Sequence, residues 1–277
     1  MTRIQKIAIL SVSLLPIMAN AILSPGLSVL QEYFFDVHEV WIKMVITISS
    51  IFVIPVTLIT GRLIFYFKKK HLLYVGLFLY IFGGFGGAFQ NTIVNLLIFR
   101  SIMGIGLGVL LPLSTSLVAD FFNGDDRSRM MGYSSAIKNL GGVIATVLAG
   151  FLSLLGWRYP FMVYVVAIFV LILVVLYLPD KEIPSKTNHK VIITRNVWLL
   201  GLSIFAVMQM FFAIPAPLSV YIESGNLGTG FLTGLLISLV TVGSFFFGIL
   251  YHRIKTFFKG YTVVIGLIFI IVGMLGV

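Results

Sequence analysis

The chain has 277 residues, a formal net charge of +10 and no cysteine, and it is 59% hydrophobic but only 10% charged. Soluble domains carry about 25% charged and 45–50% apolar residues, so the charges here are too few to cover a soluble surface. A soluble enzyme, a nucleic-acid-binding module and a disordered tail are excluded, and the missing cysteine excludes disulfides, thiolate metal sites and cysteine nucleophiles.

A helix crossing the ~30 Å hydrocarbon core of a bilayer needs roughly 20 mostly apolar residues. Nine such segments follow in chain order: about 7–30, 42–63, 72–91, 93–118, 131–154, 160–178, 197–221, 230–250 and 261–277. Their apolar runs are continuous rather than alternating, which predicts helices and not barrel strands. The first segment is too long for a signal h-region and lacks a small-residue cleavage site, so it is expected to be retained. It carries Asn20, Ser24 and Pro25, and that proline, like Pro112 in the fourth segment and Pro215 and Pro217 in the seventh, is expected to kink its helix. The second ends in Gly61-Arg62-Leu63 and leads to Lys68-Lys69-Lys70. The third contains Gly83, Gly84, Gly86 and Gly87, and the fourth contains Arg100, Gly104, Gly106, Gly108 and Pro112, with Asp120 at its end. The fifth contains Lys138, Asn139, Gly141, Gly142 and Gly150, and the turn Gly156-Trp157-Arg158-Tyr159 joins it to the sixth. The seventh carries Gln209, Pro215, Pro217 and Ser219.

Basic residues favour the cytoplasmic side of a membrane. With the N-terminus inside, every Lys and Arg faces the cytoplasm except Lys43 and Arg158, which lie outside, and Arg100 and Lys138, which lie within segments. The lysine-rich stretch from Pro179 to Asn196 then reads as a cytoplasmic linker. It divides a six-helix half, residues 1–178, from a partial second half, residues 197–277. A short repeat supports that division. Leu27-Ser28-Val29-Leu30-Gln31-Glu32 closes segment one, and Leu218-Ser219-Val220-Tyr221-Ile222-Glu223 closes segment seven at an offset of 191. Parallel six-helix repeats are one transporter plan. The second unit holds three segments and ends apolar at Val277, which reads as a twelve-helix plan lacking its last three, to be completed by a C-terminal segment or by a second polypeptide.

In these residues the chain resembles the major facilitator superfamily, nearest its bacterial drug:proton antiporter branch. The family's loop between helices two and three runs G-x-L-a-D-r-x-G-r-k. Gly61, Leu63 and the basic end with Lys69 and Lys70 match it, while Phe65 stands at the Asp position and Lys68 at the second Gly. The fourth-helix pattern l-x-x-x-R-x-x-q-G-x-g is met by Leu96, Arg100, Gly104 and Gly106, with Met103 at the Gln position. Of the antiporter branch's G-P-x-x-G-G, only Gly150 is kept. The resemblance implies an all-α membrane bundle working by alternating access and a gating role for Gly61, Leu63, Lys69 and Lys70. It also implies proton-coupled efflux of small amphipathic compounds across the cell membrane, as in multidrug resistance.

The residues themselves leave alternatives open. A cation at depth in a bilayer costs at least about 2.5–3.5 kcal/mol and must face protein or a water-filled cavity. Arg100 therefore serves proton coupling or is structurally paired. Lys138 attracts an anion or exchanges a proton, or its stem carries the ammonium to the surface. Asp120 pairs with Arg62 or with the Lys68–Lys70 cluster as a gate contact, or is an ordinary helix-end charge. Asn20, Ser24, Gln209, Ser219 and Asn139 line a cavity or bond between helices. The glycines read first as close-packing positions. No acid or histidine falls clearly inside a segment, so no conventional relay is expected in this part of the chain, and no metal site or cofactor is expected. No phosphate loop or intramembrane hydrolase motif occurs, so catalysis is not expected. The expected partners are a small-molecule substrate, the proton as coupling ion and the lipid bilayer, with no nucleic acid. Two further readings are import of an anionic nutrient, suggested by Arg100 and Lys138, and a chain with no transport activity of its own.

Overall fold

The computed structural model describes residues 2–23, 26–179, 195, 198–199, 201–203, 205, 230–258 and 266. Its helices are α1 (Arg3–Val12), α2 (Leu15–Ala21), α3 (Leu27–Tyr33), α4 (Glu39–Leu63), α5 (Lys69–Gly86), α6 (Ile93–Phe121), α7 (Gly124–Ser153), α8 (Val166–Tyr177) and α9 (Gly230–Phe258). Tight 3-10 turns at Gly87–Phe89 and Tyr159–Val165 extend α5 and precede α8. The described residues contain no strand. Six stretches are long and apolar enough to cross a membrane: Arg3–Ala21, Glu39–Leu63, Lys69–Phe89, Ile93–Phe121, Gly124–Ser153 and Tyr159–Tyr177. The seventh and ninth predicted segments, the linker and the second copy of the repeat fall almost entirely outside the described residues.

The chain divides by contacts into two units, Met1–Ile183 with Ser244–Val277, and Pro184–Gly243. The core of the first unit is α6. That helix is apolar on nearly every face, and such a helix is stable only when surrounded. It is flanked along its length by α4 and α5, while α2 lies on α7 and α1 on α8. Small residues set the spacing. A Cβ added at Gly106 would lie 2.6 Å from the Tyr80 backbone nitrogen on α5. On α7, Gly141 and Gly142 receive Leu14 and Ile17. The glycines of the third, fourth and fifth segments thus let backbones approach, as small residues do in membrane bundles.

The first segment breaks ahead of the kink expected at Pro25 as well. It is not one helix: it breaks at Ser13-Leu14 and again before Gly26. Pro16 supplies the reason for the first break. It has no N–H to give to the Val12 carbonyl, and its ring crowds that position. The chain tightens there, with Ser13 N–H donating to Leu10 O at 3.0 Å and Leu14 N–H to Ser11 O at 3.1 Å. The break is buried against α7, where the Ser134 hydroxyl donates to Ser13 Oγ at 2.8 Å. By contrast, Pro112 sits inside an unbroken α6. The carbonyl it deprives of a donor, on Gly108, accepts the Thr57 hydroxyl of α4 at 3.2 Å.

Candidate functional site

Arg100 is the largest side chain with no exposed surface, at 0%. It stands on the second turn of α6, where the close approach of Gly104 to the Ser49 backbone brings α4 alongside. Ser49 Oγ donates to the Arg100 carbonyl at 2.9 Å. The guanidinium reaches three other elements. Nε donates to Val45 O on α4 at 2.9 Å, Nη2 to Ala19 O on α2 at 3.3 Å, and Nη1 to the Tyr164 hydroxyl at 2.6 Å and to Met103 Sδ at 3.1 Å. Tyr164 passes the contact on, donating its own O–H to Ala19 O at 2.7 Å. Beside it Tyr80, on α5, meets the Tyr164 ring edge-on at 5.6 Å and donates to Leu15 O at 3.1 Å. Side chains from α5, α6 and the Tyr159–Val165 turn therefore converge on carbonyls of α2, the short middle piece of the interrupted first segment.

Every partner of the Arg100 guanidinium is neutral. No carboxylate lies within ion-pair range of it among the described residues. Carbonyl and hydroxyl dipoles satisfy its donors, yet its charge is not cancelled by an acid. What the arrangement offers chemically is a buried positive charge with hydrogen-bond donors aimed at carbonyl and hydroxyl oxygens.

A second cluster lies at the other end of α6. Lys69 Nζ sits 2.5 Å from Asp120 Oδ2 and 2.5 Å from Ser116 Oγ. Those side chains are 23% and 31% exposed for Lys69 and Asp120, a half-wet ion pair linking the start of α5 to the end of α6. Arg62 is exposed and forms no ion pair among the described residues. Phe65, Tyr66 and Phe67 project from the same loop, exposed. Gly61 is exposed and Leu63 partly buried, and Lys70 is partly buried beside Lys69.

Lys138 lies midway along α7, partly buried, with no hydrogen bond or ion pair among the described residues. Neighbouring Asn139 turns to its own helix, Nδ2 donating to Ser135 O at 3.1 Å. Asn20 is partly buried on α2, one residue from the carbonyl held by Arg100 and Tyr164. Ser24, Gln209 and Ser219 lie outside the described residues. The sequence reading missed Val45, Ala19, Tyr164 and Tyr80. Two contribute only backbone carbonyls, and the tyrosines carry no motif; the one available signal was that a buried cation requires several acceptors.

Comparison with known proteins gives a consistent pattern. The profile described as Major Facilitator Superfamily matches residues 9–277. Multidrug transporter protein MdtP of Bacillus subtilis is 26% identical over 122 residues, covering 44% of this chain and 22% of that protein. Multidrug resistance protein 3 of the same organism is 30% identical over 108 residues, covering 39% and 21%. Quinolone resistance protein NorA of Staphylococcus aureus is 27% identical over 183 residues, covering 57% and 47%. The aligned stretch thus spans about half of NorA and about a fifth of the other two. Among solved structures, the proton:xylose symporter XylE aligns over 91% of this chain and 68% of its own, at a TM-score of 0.64 and 17% identity. A peptide transporter, POT, aligns over 78% and 49%, at 0.55 and 17%.

Proposed function

The chain belongs to the major facilitator superfamily, and from that premise we propose that it serves secondary transport, exporting small amphipathic compounds against a proton gradient. The site moves by alternating access, within a cell membrane whose cytoplasmic side holds the N-terminus. One observation carries the reading: the first transmembrane segment is interrupted, and its middle piece is held at Ala19 O by Arg100 and Tyr164 and at Leu15 O by Tyr80. Interrupted helices with polar groups at depth are where transporters build binding and coupling sites. Three relatives are named for drug transport or resistance, which favours an exported organic compound over a sugar or a peptide.

In this reading Arg100 is the element that senses charge. Its hold on α2 and α4 weakens when an anion, or a carboxylate from another helix, competes for the guanidinium. Protonation of that competitor restores the hold. Lys69 and Asp120 fix the cytoplasmic ends of α5 and α6 where the family's usual Asp is replaced by Phe65. Residues 1–178 and 197–277 act as the two rocking units, joined by the linker at 179–196. Uptake of an organic anion is the second reading, favoured by Arg100 and Lys138, two cations at depth with no carboxylate in ion-pair range among the described residues.

The test is ethidium accumulation in drug-susceptible bacteria expressing the chain. Accumulation is expected to fall below that of cells with empty vector, and to recover with a protonophore or with Arg100→Met. Equal accumulation with and without the chain would sink the export reading. Labelled organic-anion uptake abolished by Lys138→Ala would replace it with the second.

A further inference from the structure

At the end of the bundle opposite the Lys69–Asp120 pair lies a cavity of about 460 Å³. Phe89, from the turn after α5, forms one wall, and Leu155, Trp157, Arg158, Tyr159 and Met162, from the turn between α7 and α8, form the rest. The turn can take this shape because Gly156 adopts φ +130°, a conformation side chains resist. Phe89 and Leu155 are 63% and 65% exposed. In a membrane-spanning bundle such apolar walls face acyl chains.

Arg158 is the cation of this cavity, and its surroundings leave donors over. Its Nη2 donates to Asn91 Oδ1 at 2.6 Å and to Tyr33 Oη at 3.4 Å. Nε and Nη1 make no hydrogen bond among the described residues, and no carboxylate there lies within ion-pair range. The guanidinium is stacked 4.5 Å over the Trp157 ring and 5.2 Å over Tyr33. Trp157 itself is 5% exposed, and its indole N–H finds no acceptor among the described residues.

We propose that this cavity is a binding site for an anionic phospholipid. The N–H groups left over at Nη1 and Nε give the phosphodiester charge-assisted hydrogen bonds, and the exposed apolar walls take the first part of an acyl chain. The cavity is in the size range of sites for small organic ligands and far larger than a bare phosphate requires. A quaternary-ammonium headgroup is disfavoured for two reasons. The aromatic faces that would receive it are covered by Arg158, and the residues lining the cavity include no acid. The proposal does not depend on what the chain transports.

The experiment uses the full chain carrying Trp41→Phe and Trp198→Phe, so that Trp157 is the sole indole, reconstituted in vesicles. Its fluorescence is quenched with brominated phosphatidylglycerol or brominated phosphatidylcholine. A preference of about fivefold for the anionic lipid is expected from one basic group at a membrane surface. It should be lost in Arg158→Gln, retained in part in Arg158→Lys, and unaffected by inorganic phosphate. Leu155→Glu, at an exposed wall position, sets a carboxylate against the site and should also erase the preference, which covers the case that Arg158→Gln does not fold. Equal quenching by the two lipids overturns the proposal, as does a preference that survives both Arg158→Gln and Leu155→Glu. Competition by inorganic phosphate makes the site one for a soluble anion and overturns it equally.

Discussion

The Thr57 hydroxyl donates at 3.2 Å to the Gly108 carbonyl that Pro112, four residues on, leaves without a helical donor. A proline within a membrane helix is tolerated when a neighbouring helix satisfies the freed group, and here α4 does so for α6. Thr57→Val keeps the shape and removes the donor. It should lower stability by about 0.6 kcal/mol, the average for hydrogen bonds between membrane helices. Denaturation of the purified chain in mixed micelles reads that loss, and an unchanged midpoint would show that Gly108 finds another donor.

Arg100→Lys is not a conservative change at this site. A single ammonium cannot reach Val45 O, Ala19 O and Tyr164 Oη from the one stem at the distances the guanidinium spans. The proposed proton-driven efflux is expected to fall at least about tenfold in both Arg100→Lys and Arg100→Met. Tyr164→Phe, which keeps the Arg100–Ala19 contact and removes one relay, should show a smaller loss. Efflux rates at fixed proton gradient rank the three variants, and a fully active Arg100→Lys would refute a role for the fork geometry.

The Lys69–Asp120 pair is partly wet, so its coupling should be modest. A double-mutant cycle with Lys69→Met and Asp120→Asn is expected to give about 0.5–1 kcal/mol, shrinking as salt is raised. Thermal unfolding at two ionic strengths measures it. Coupling indistinguishable from zero at low salt would leave Ser116 as the significant partner of Lys69.

Gly106→Ala pushes a methyl group toward the Tyr80 backbone, 2.6 Å from its nitrogen. Backbone cannot swing aside as a side chain does, so overpacking of about 1–3 kcal/mol is expected. Gly61→Ala, whose Cβ meets nothing within 4 Å, is the matched control. The yield of folded protein and its unfolding temperature should fall for the first and hold for the second.

Much of this was legible in the residues. The apolar runs 42–63 and 93–118 correspond closely to Glu39–Leu63 and Ile93–Phe121, because hydropathy registers the bilayer core directly. It registers helix ends less well. The fifth segment, α7, begins at Gly124 and not near 131, since its first turns, Asp125, Asp126, Arg127 and Arg129 among them, are polar yet helical. Pro16 was hidden inside a uniformly apolar stretch, so the break at Ser13-Leu14 was not read, whereas a kink at Pro25 was. Arg100 announced itself by its charge. Its partners did not, because carbonyls, a tyrosine and a thioether leave no electrostatic mark in a sequence.

The neutral surroundings of Arg100 have an electrical consequence. A buried cation with no acid beside it among the described residues is a charge on which the transmembrane voltage can act, at about 2.3 kcal/mol per elementary charge carried through a full 100 mV. Any rearrangement that shifts α6 relative to the membrane normal then does work against, or with, the field in proportion to the fraction it crosses. A resting voltage would bias such a rearrangement by that fraction of the full work.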